Sequence, residues 1–247
     1  MLKHYHEPMH PTAQRGSRIA FFGGSFDPPH NGHLAVAHAA LEALHLDKVL
    51  FAPVAVQPLK PHGSSAGFED RLAMTKRAIA DESAFELSLI DAPDPENPRK
   101  APNYTLDTLS RLRLELPPNS TLFCLMGADS FLSLRRWHHG EAIPFVAPLI
   151  VAARPGQKLE DLGAALPCGL QLLEPASSAP LAGKIPMREY RVCSADGQEA
   201  PFYVLPGLQI DISASQIRQE IRLHGLEPPR LLPAAVAQYI AQKRLYR

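Results

Sequence analysis

Cysteine is scarce in this chain: Cys124, Cys168 and Cys193 are the three among 247 residues. Widely spaced and odd in number, they make neither a disulfide framework nor a paired-thiolate zinc site, and a reducing, cytoplasmic setting fits them. An excess of charge of either sign is also missing. Lys plus Arg and Asp plus Glu both number 25, so no overall basic surplus is available to hold nucleic acid. No apolar run approaches the roughly 18 residues that a membrane span needs, and residues 1–17 contain no apolar segment of signal-peptide length. Neither nucleic acid nor membrane is therefore expected as a partner, and no internal repeat suggests a solenoid.

Hydrophobic residues make up 45% of the chain, enough for a sizeable core. Residues 1–17, rich in Pro, His and polar side chains, read as a flexible N-terminal tail. Beyond them, strand-like and helix-like patterns alternate. RIAFFG (18–23), VLFAP (49–53), TLFCLMGAD (121–129) and PLIVAARPG (148–156) read as buried strands. Helical spacing occupies 32–46 and 68–80, and a helix capped by Asn103 runs through Leu116. Phe85 to Ile90 is extended, and the proline-rich 92–102 is a loop. This order predicts an α/β fold: a Rossmann-like, doubly wound, mostly parallel sheet with helices on both faces, forming a single domain over 18–247. LQLL (170–173) and FYVL (202–205) suggest further strands, 175–201 reads as an insertion or mobile loop, and 212–225 and 233–246 read as closing helices.

In such sheets ligands sit beyond the carboxyl ends of the strands, where GGSFDPPH, PVAVQPLK, GADS and ARPG fall. The densest of these is GGSFDPPHNGH, Gly23 to His33. Gly23 and Gly24 permit positive φ angles and close approach of a phosphate to backbone N–H groups. Pro28 and Pro29 stiffen the crossing, and a helix starting near Asn31 directs its positive end to the same place. His30 and His33, three apart on one helical face, can donate to phosphate oxygens. An incidental surface pair or half a zinc site is the competing reading, although no cysteine stands beside them. Asp27 either orders the turn or serves hydrated Mg²⁺.

Near the C-terminus, ISASQIR carries capping-box spacing between Ser213 and Gln216, ahead of Arg218. Read alone it is an ordinary helix cap. Trp137, the single tryptophan, follows Arg135 and Arg136, which set it beside a polar surface. Lys60 lies on a proline-bounded loop after the second strand.

GGSFDPPHNGH resembles the GGTFDPxHxGH signature of the HxGH nucleotidyltransferase superfamily. PLK (58–60), PNYTLDTL (102–109), GADSFLSLRRW (127–137), VAARPG (151–156), ISASQIR (212–218) and the Tyr239–Arg247 ending make the chain similar to the bacterial nicotinate-nucleotide adenylyltransferase family. The resemblance implies adenylyl transfer from ATP to nicotinate mononucleotide, with His30, His33 and Arg218 as catalytic residues. It implies that Gly23, Gly24, Ser25, Phe26, Gly127, Asp129, Ser213 and Ser215 join them around ATP. Ser25, Lys60, Tyr104, Thr105, Trp137 and Arg154 are implied at the second substrate. Mg²⁺ would arrive with ATP rather than in a metal site of the protein's own. Where the family has PPHK, this chain has Gln57-Pro58-Leu59-Lys60. Nicotinamide mononucleotide or phosphopantetheine as acceptor, and a nucleotide-sensing module without turnover, stand as alternatives. Homo-oligomerisation is left open.

Overall fold

The computed structural model describes residues 16–60, 63–94, 96, 102–153, 159–173, 187–205, 212–225 and 231–247. Apart from Gly16 and Ser17, the expected tail lies outside them.

The first strand, β1 (Arg18–Gly24), buries both of its faces. Side chains alternate along a strand, so Ile19 and Phe21 pack on one side with Leu109, Cys124, Phe131 and Val151. Ala20 and Phe22 pack on the other with Ala37, Ala40, Phe51 and Ile150. A strand covered on both sides reads as a continuous apolar run, which is what RIAFFG is. The partners of β1 are β2 (Lys48–Pro53) and β4 (Thr121–Gly127), both parallel to it.

The remaining strands are β3 (Phe85–Leu87), β5 (Leu149–Ala152), β6 (Leu170–Leu173), β7 (Arg188–Ser194) and β8 (Glu199–Leu205). Together they form one sheet of order β3-β2-β1-β4-β5-β8-β7-β6. Pairings from β3 through β8 are parallel, while β7 runs antiparallel to both β8 and β6. The mostly parallel α/β sheet is thus as the alternation predicts. Strand order reverses between β1 and β4, and at that switch the C-terminal ends of both strands, Gly23-Gly24 and Gly127, open a crevice.

Helices α1 (Asn31–Leu44), α2 (Phe68–Ala78) and α3 (Thr105–Glu115) connect the first four strands. The short α4 (Ala128–Leu132) follows β4 directly, where the sequence suggests that the strand continues to Asp129. A 3₁₀ turn (Leu134–Arg136), α5 (Ile143–Val146) and α6 (Leu159–Ala165) come next, and α7 (Ala214–His224) and α8 (Ala234–Lys243) close the chain. α7 and α8 pack with α2 in a third cluster around Met74, Ile217, Val236 and Ile240. That apolar body beside the sheet has no counterpart in the sequence reading.

Two expectations are corrected. Residues 188–201, read as part of an insertion or mobile loop, are largely the β7–β8 hairpin, with Tyr190, Val192, Ala200 and Phe202 turned into the core. Its alternation is masked by Glu189, Arg191 and Glu199 on the outer face. Residues 175–186 lie outside the described residues. Asn103 is not the N-cap of α3: Tyr104 holds that position, and the Asn103 Oδ1 accepts the Val56 N–H at 3.2 Å, tying α3 to the loop after β2.

Candidate active site

The turn from β1 into α1 departs from its expected geometry in two respects. Gly23 and Gly24 are not the residues with positive φ; Phe26, at φ 45°, is. The glycines serve instead to admit aromatic rings. A Cβ on Gly23 would lie 2.6 Å from the Phe21 ring, and one on Gly24 would lie 3.3 Å from the Phe26 ring. A left-handed non-glycine residue costs on the order of 1 kcal/mol, and burial of the Phe26 ring against Phe22, Phe51 and His33 offsets it. The first amide of α1 is likewise not available to a ligand, because the Asn31 N–H donates to the Leu231 carbonyl at 2.9 Å.

The two histidines stack, with ring centroids 3.7 Å apart. The His33 Nδ1 accepts the His30 backbone N–H at 3.2 Å, so the proton of a neutral His33 ring sits on Nε2. Burial lowers the His30 pKa to about 4. Burial, then the charge of neighbouring His30, holds His33 well below the ordinary histidine range. Both rings are therefore neutral at pH 7, each with one N–H to give. Among the described residues, the buried His30 Nδ1 has no hydrogen-bond partner.

Asp27, buried beside them, gathers the turn. Its Oδ2 accepts the Ser65 N–H at 2.6 Å, and its Oδ1 accepts the Ala66 N–H at 3.1 Å and the Tyr246 hydroxyl at 2.7 Å. With both oxygens engaged by protein donors, Asp27 orders the turn, one of the two roles its position allowed. Its backbone carbonyl accepts from the Arg218 guanidinium at 2.7 Å, and the other arm of Arg218 donates to the Ser215 hydroxyl at 3.1 Å. Arg71, 2% exposed, donates to the carbonyls of Ser25 and Val54, stapling the ends of β1 and β2 together.

The loop after β2 folds over the same turn. The Lys60 ammonium donates to the Ser25 hydroxyl at 2.9 Å, and that hydroxyl donates to the Gln57 Oε1 at 2.5 Å. Burial lowers the Lys60 pKa, and Arg218 and Arg71 add to the effect against the opposing pull of Asp27. Leu59 is exposed beside them and lines the cavity described below. At the α7 N-terminus the capping box is present: the Ser213 Oγ accepts the Gln216 N–H at 3.2 Å, and the Gln216 Oε1 accepts the Ser213 N–H at 3.1 Å. The amides of Ala214 and Ser215, which have no partner within the helix, begin α7 at the cavity wall.

Across the β1–β4 crevice lies a second group. Trp137 is half-buried, its Nε1 donating to the Ser133 hydroxyl at 2.9 Å. The Tyr104 ring lies tilted against His138 with centroids 4.3 Å apart, and Thr105 begins α3 beside them. The Asp91 carboxylate, buried behind α3, accepts from the Thr108 hydroxyl at 2.6 Å. Burial raises its pKa against the lowering effects of Thr108, Arg111 and Asn103.

Both groups line one cavity of about 830 Å³. It brings together every expected site residue except Arg154, which lies outside the described residues. Gln57, Asp91, Arg136 and His138 also line it and escaped the sequence reading, as did the buried supports Arg71 and Tyr246. His138 had a local signal, since it follows Trp137 in sequence. Arg71 had none, its partner Ser25 lying 46 residues away; Tyr246 falls in the Tyr239–Arg247 ending that carries the resemblance, but nothing local ties it to Asp27, 219 residues away. Among the described residues, no cluster of three or more His, Cys, Asp or Glu side chains is arranged to hold a metal ion, and no helix is long and apolar enough to cross a membrane.

Comparison with known proteins finds relatives over most of the chain. The model of the cytidylyltransferase-like family matches residues 21–220. A protein of Geobacter metallireducens named "Probable nicotinate-nucleotide adenylyltransferase" is 36% identical over 229 residues, covering 93% of this chain and 98% of its own. One of the same name from Herpetosiphon aurantiacus is 35% identical, with the same coverage. Among solved structures, the Plasmodium falciparum nicotinic acid mononucleotide adenylyltransferase complexed with NaAD superposes with a TM-score of 0.64. That pair shares 19% identity, over 93% of this chain and 97% of the other, a likeness of fold.

Three outcomes follow from the turn. In an NMR titration the His30 imidazole should show its midpoint near pH 4, and a midpoint above 6 would contradict its burial. Between about pH 6.5 and 4 the unfolded chain binds a proton that native His30 refuses. Stability should therefore fall as pH drops through that window and be insensitive to His30 above it. Phe26→Ala should cost about 3 kcal/mol in urea unfolding, and a loss below about 1 kcal/mol would show that the ring does not hold the turn.

Proposed function

The chain belongs to the cytidylyltransferase-like family, and on that premise we propose that it transfers the adenylyl group of ATP to nicotinate mononucleotide. The products are nicotinate adenine dinucleotide and pyrophosphate, a step of NAD biosynthesis. The observation that carries this reading is that both groups of residues line one shared cavity. One wall has the His30-His33 pair and Arg218, suited to a triphosphate; the other has Trp137, Tyr104 and Thr105, suited to a pyridine carboxylate.

A phosphomonoester has its second pKa near 6, so the attacking 5′-phosphate is already ionised at neutral pH and needs no general base. One of its oxygens forms a bond to the α-phosphorus as the bond from that phosphorus to the β-phosphate oxygen breaks. The protein's part is alignment and charge neutralisation. The neutral histidines donate to phosphate oxygens, and Arg218, with the α7 N-terminus, takes up the charge of departing pyrophosphate. Lys60 and Ser25 hold the acceptor phosphate. The Trp137 face suits the cationic pyridinium, and Thr105 with the starting amides of α3 suits the carboxylate over the amide. Mg²⁺ enters as the ATP complex, its charge shared with the triphosphate. The three free thiols accord with a cytoplasmic site of action.

Pyrophosphate release from Mg-ATP, compared for nicotinate mononucleotide, nicotinamide mononucleotide and phosphopantetheine, should be fastest with the first. A preference for either other acceptor would reassign the substrate, and no release from folded protein that binds ATP would favour a sensing role. Arg218→Ala should lower kcat by about 10²–10³-fold, whereas Trp137→Ala should chiefly raise KM for the acceptor. The opposite partition would reverse their assignments.

A further inference from the structure

The last residues described lie far from the phosphates in sequence yet touch the turn that holds them. After α8 the chain reverses through Arg244 at φ 53° and Tyr246 at φ 65°, both in the left-handed region that non-glycine residues seldom adopt. Two such residues in three persist only where surrounding contacts fix them. The reversal buries the Tyr246 ring in the α2-α7-α8 cluster, 8% exposed, and delivers its hydroxyl to the Asp27 Oδ1 at 2.7 Å. Burial, then the Asp27 hydrogen bond, raises the Tyr246 pKa above the ordinary phenol value, so the group is a donor throughout the neutral range. Asp27 in turn holds Arg218 through its backbone carbonyl. Two hydrogen bonds, one to the Asp27 carboxylate and one to its backbone carbonyl, thus link the C-terminal reversal through Asp27 to the guanidinium that faces the cavity.

We propose that Tyr246 is a positioning residue for the transfer: its hydroxyl fixes Asp27, and the Asp27 carbonyl presents Arg218 to the leaving phosphates. The inference rests on the adenylyl-transfer reading. It separates Tyr246 from Tyr239, whose hydroxyl makes a like bond to the Asp70 Oδ1 at 2.9 Å between α8 and α2 without touching the turn.

The test compares Tyr246→Phe with Tyr239→Phe in the full-length protein, each losing one hydroxyl and keeping its ring. Tyr246→Phe should lower kcat about tenfold with KM for ATP and acceptor within about twofold, because Arg218 acts most as charge develops. Tyr239→Phe should leave kcat unchanged even where it lowers the melting temperature. Asp27→Asn should lower kcat too, and the Asp27→Asn/Tyr246→Phe double variant should fall little below the worse single variant, as members of one chain do. Equal kcat in Tyr246→Phe and wild type, a loss confined to KM or melting temperature, or multiplicative losses in the double variant would overturn the proposal. If Tyr246→Phe did not fold, full additivity of Asp27→Asn with Arg218→Ala would overturn it instead. Absence of turnover in wild type would overturn the underlying reading and this role with it, an outcome distinct from equal rates in wild type and variant.

Discussion

A carboxylate taken out of water is tolerated only if its oxygens find donors, and Asp27, 3% exposed, finds three in protein: the amides of Ser65 and Ala66 and the hydroxyl of Tyr246. Each comes from a different distance along the chain from the turn they fix. The segment before α2, the reversal after α8 and, through the Asp27 carbonyl, Arg218 of α7 all meet where β1 stops. Arg71 completes the arrangement by joining the β1 and β2 ends, its own burial made tolerable by two carbonyl acceptors. The third apolar cluster has a purpose in this frame: it supports the helices that supply these groups.

With the turn so held, its electrostatics are settled before any ligand arrives. Burial keeps both histidines neutral, and His30 adds to the effect on His33, so the cationic groups lining the cavity beside the turn are Arg218 and Lys60. Neutral imidazoles are directional donors rather than point charges, and the bond to the His33 Nδ1 leaves Nε2 as its donating atom. Preorganised donors of this kind avoid the reorganisation that water would require as charge moves onto the leaving group.

Much of this was legible in residues read alone, because local chemistry leaves local traces. Two-sided burial of β1 appears as an unbroken apolar run, α7's capping box as Ser213 and Gln216, and the turn from β1 into α1 at the cavity as GGSFDPPHNGH. What was not legible depends on contacts distant in sequence. Nothing near Tyr246 or Arg71 announces their partners at Asp27, Ser25 and Val54. The positive φ expected of Gly23 and Gly24 is not found for the same reason: the Phe21 ring excludes a Cβ at Gly23, and the Phe26 ring crowds one at Gly24. Asn103 looked like a cap because caps are its commonest use before a helix, while the fold employs it as a cross-link to Val56. The β7–β8 hairpin was obscured by charged residues on its solvent face.

In this account the side chains align and neutralise but never bond to phosphorus, so the acceptor phosphate attacks ATP directly within one cavity. The most direct check is the stereochemical course of the reaction with ATP made chiral at the α-phosphorus by a sulfur substituent. A single in-line displacement predicts inversion of configuration in the dinucleotide product. Retention would mean two displacements through a covalent nucleotidyl-enzyme, with a histidine of the turn as nucleophile, and would contradict the account.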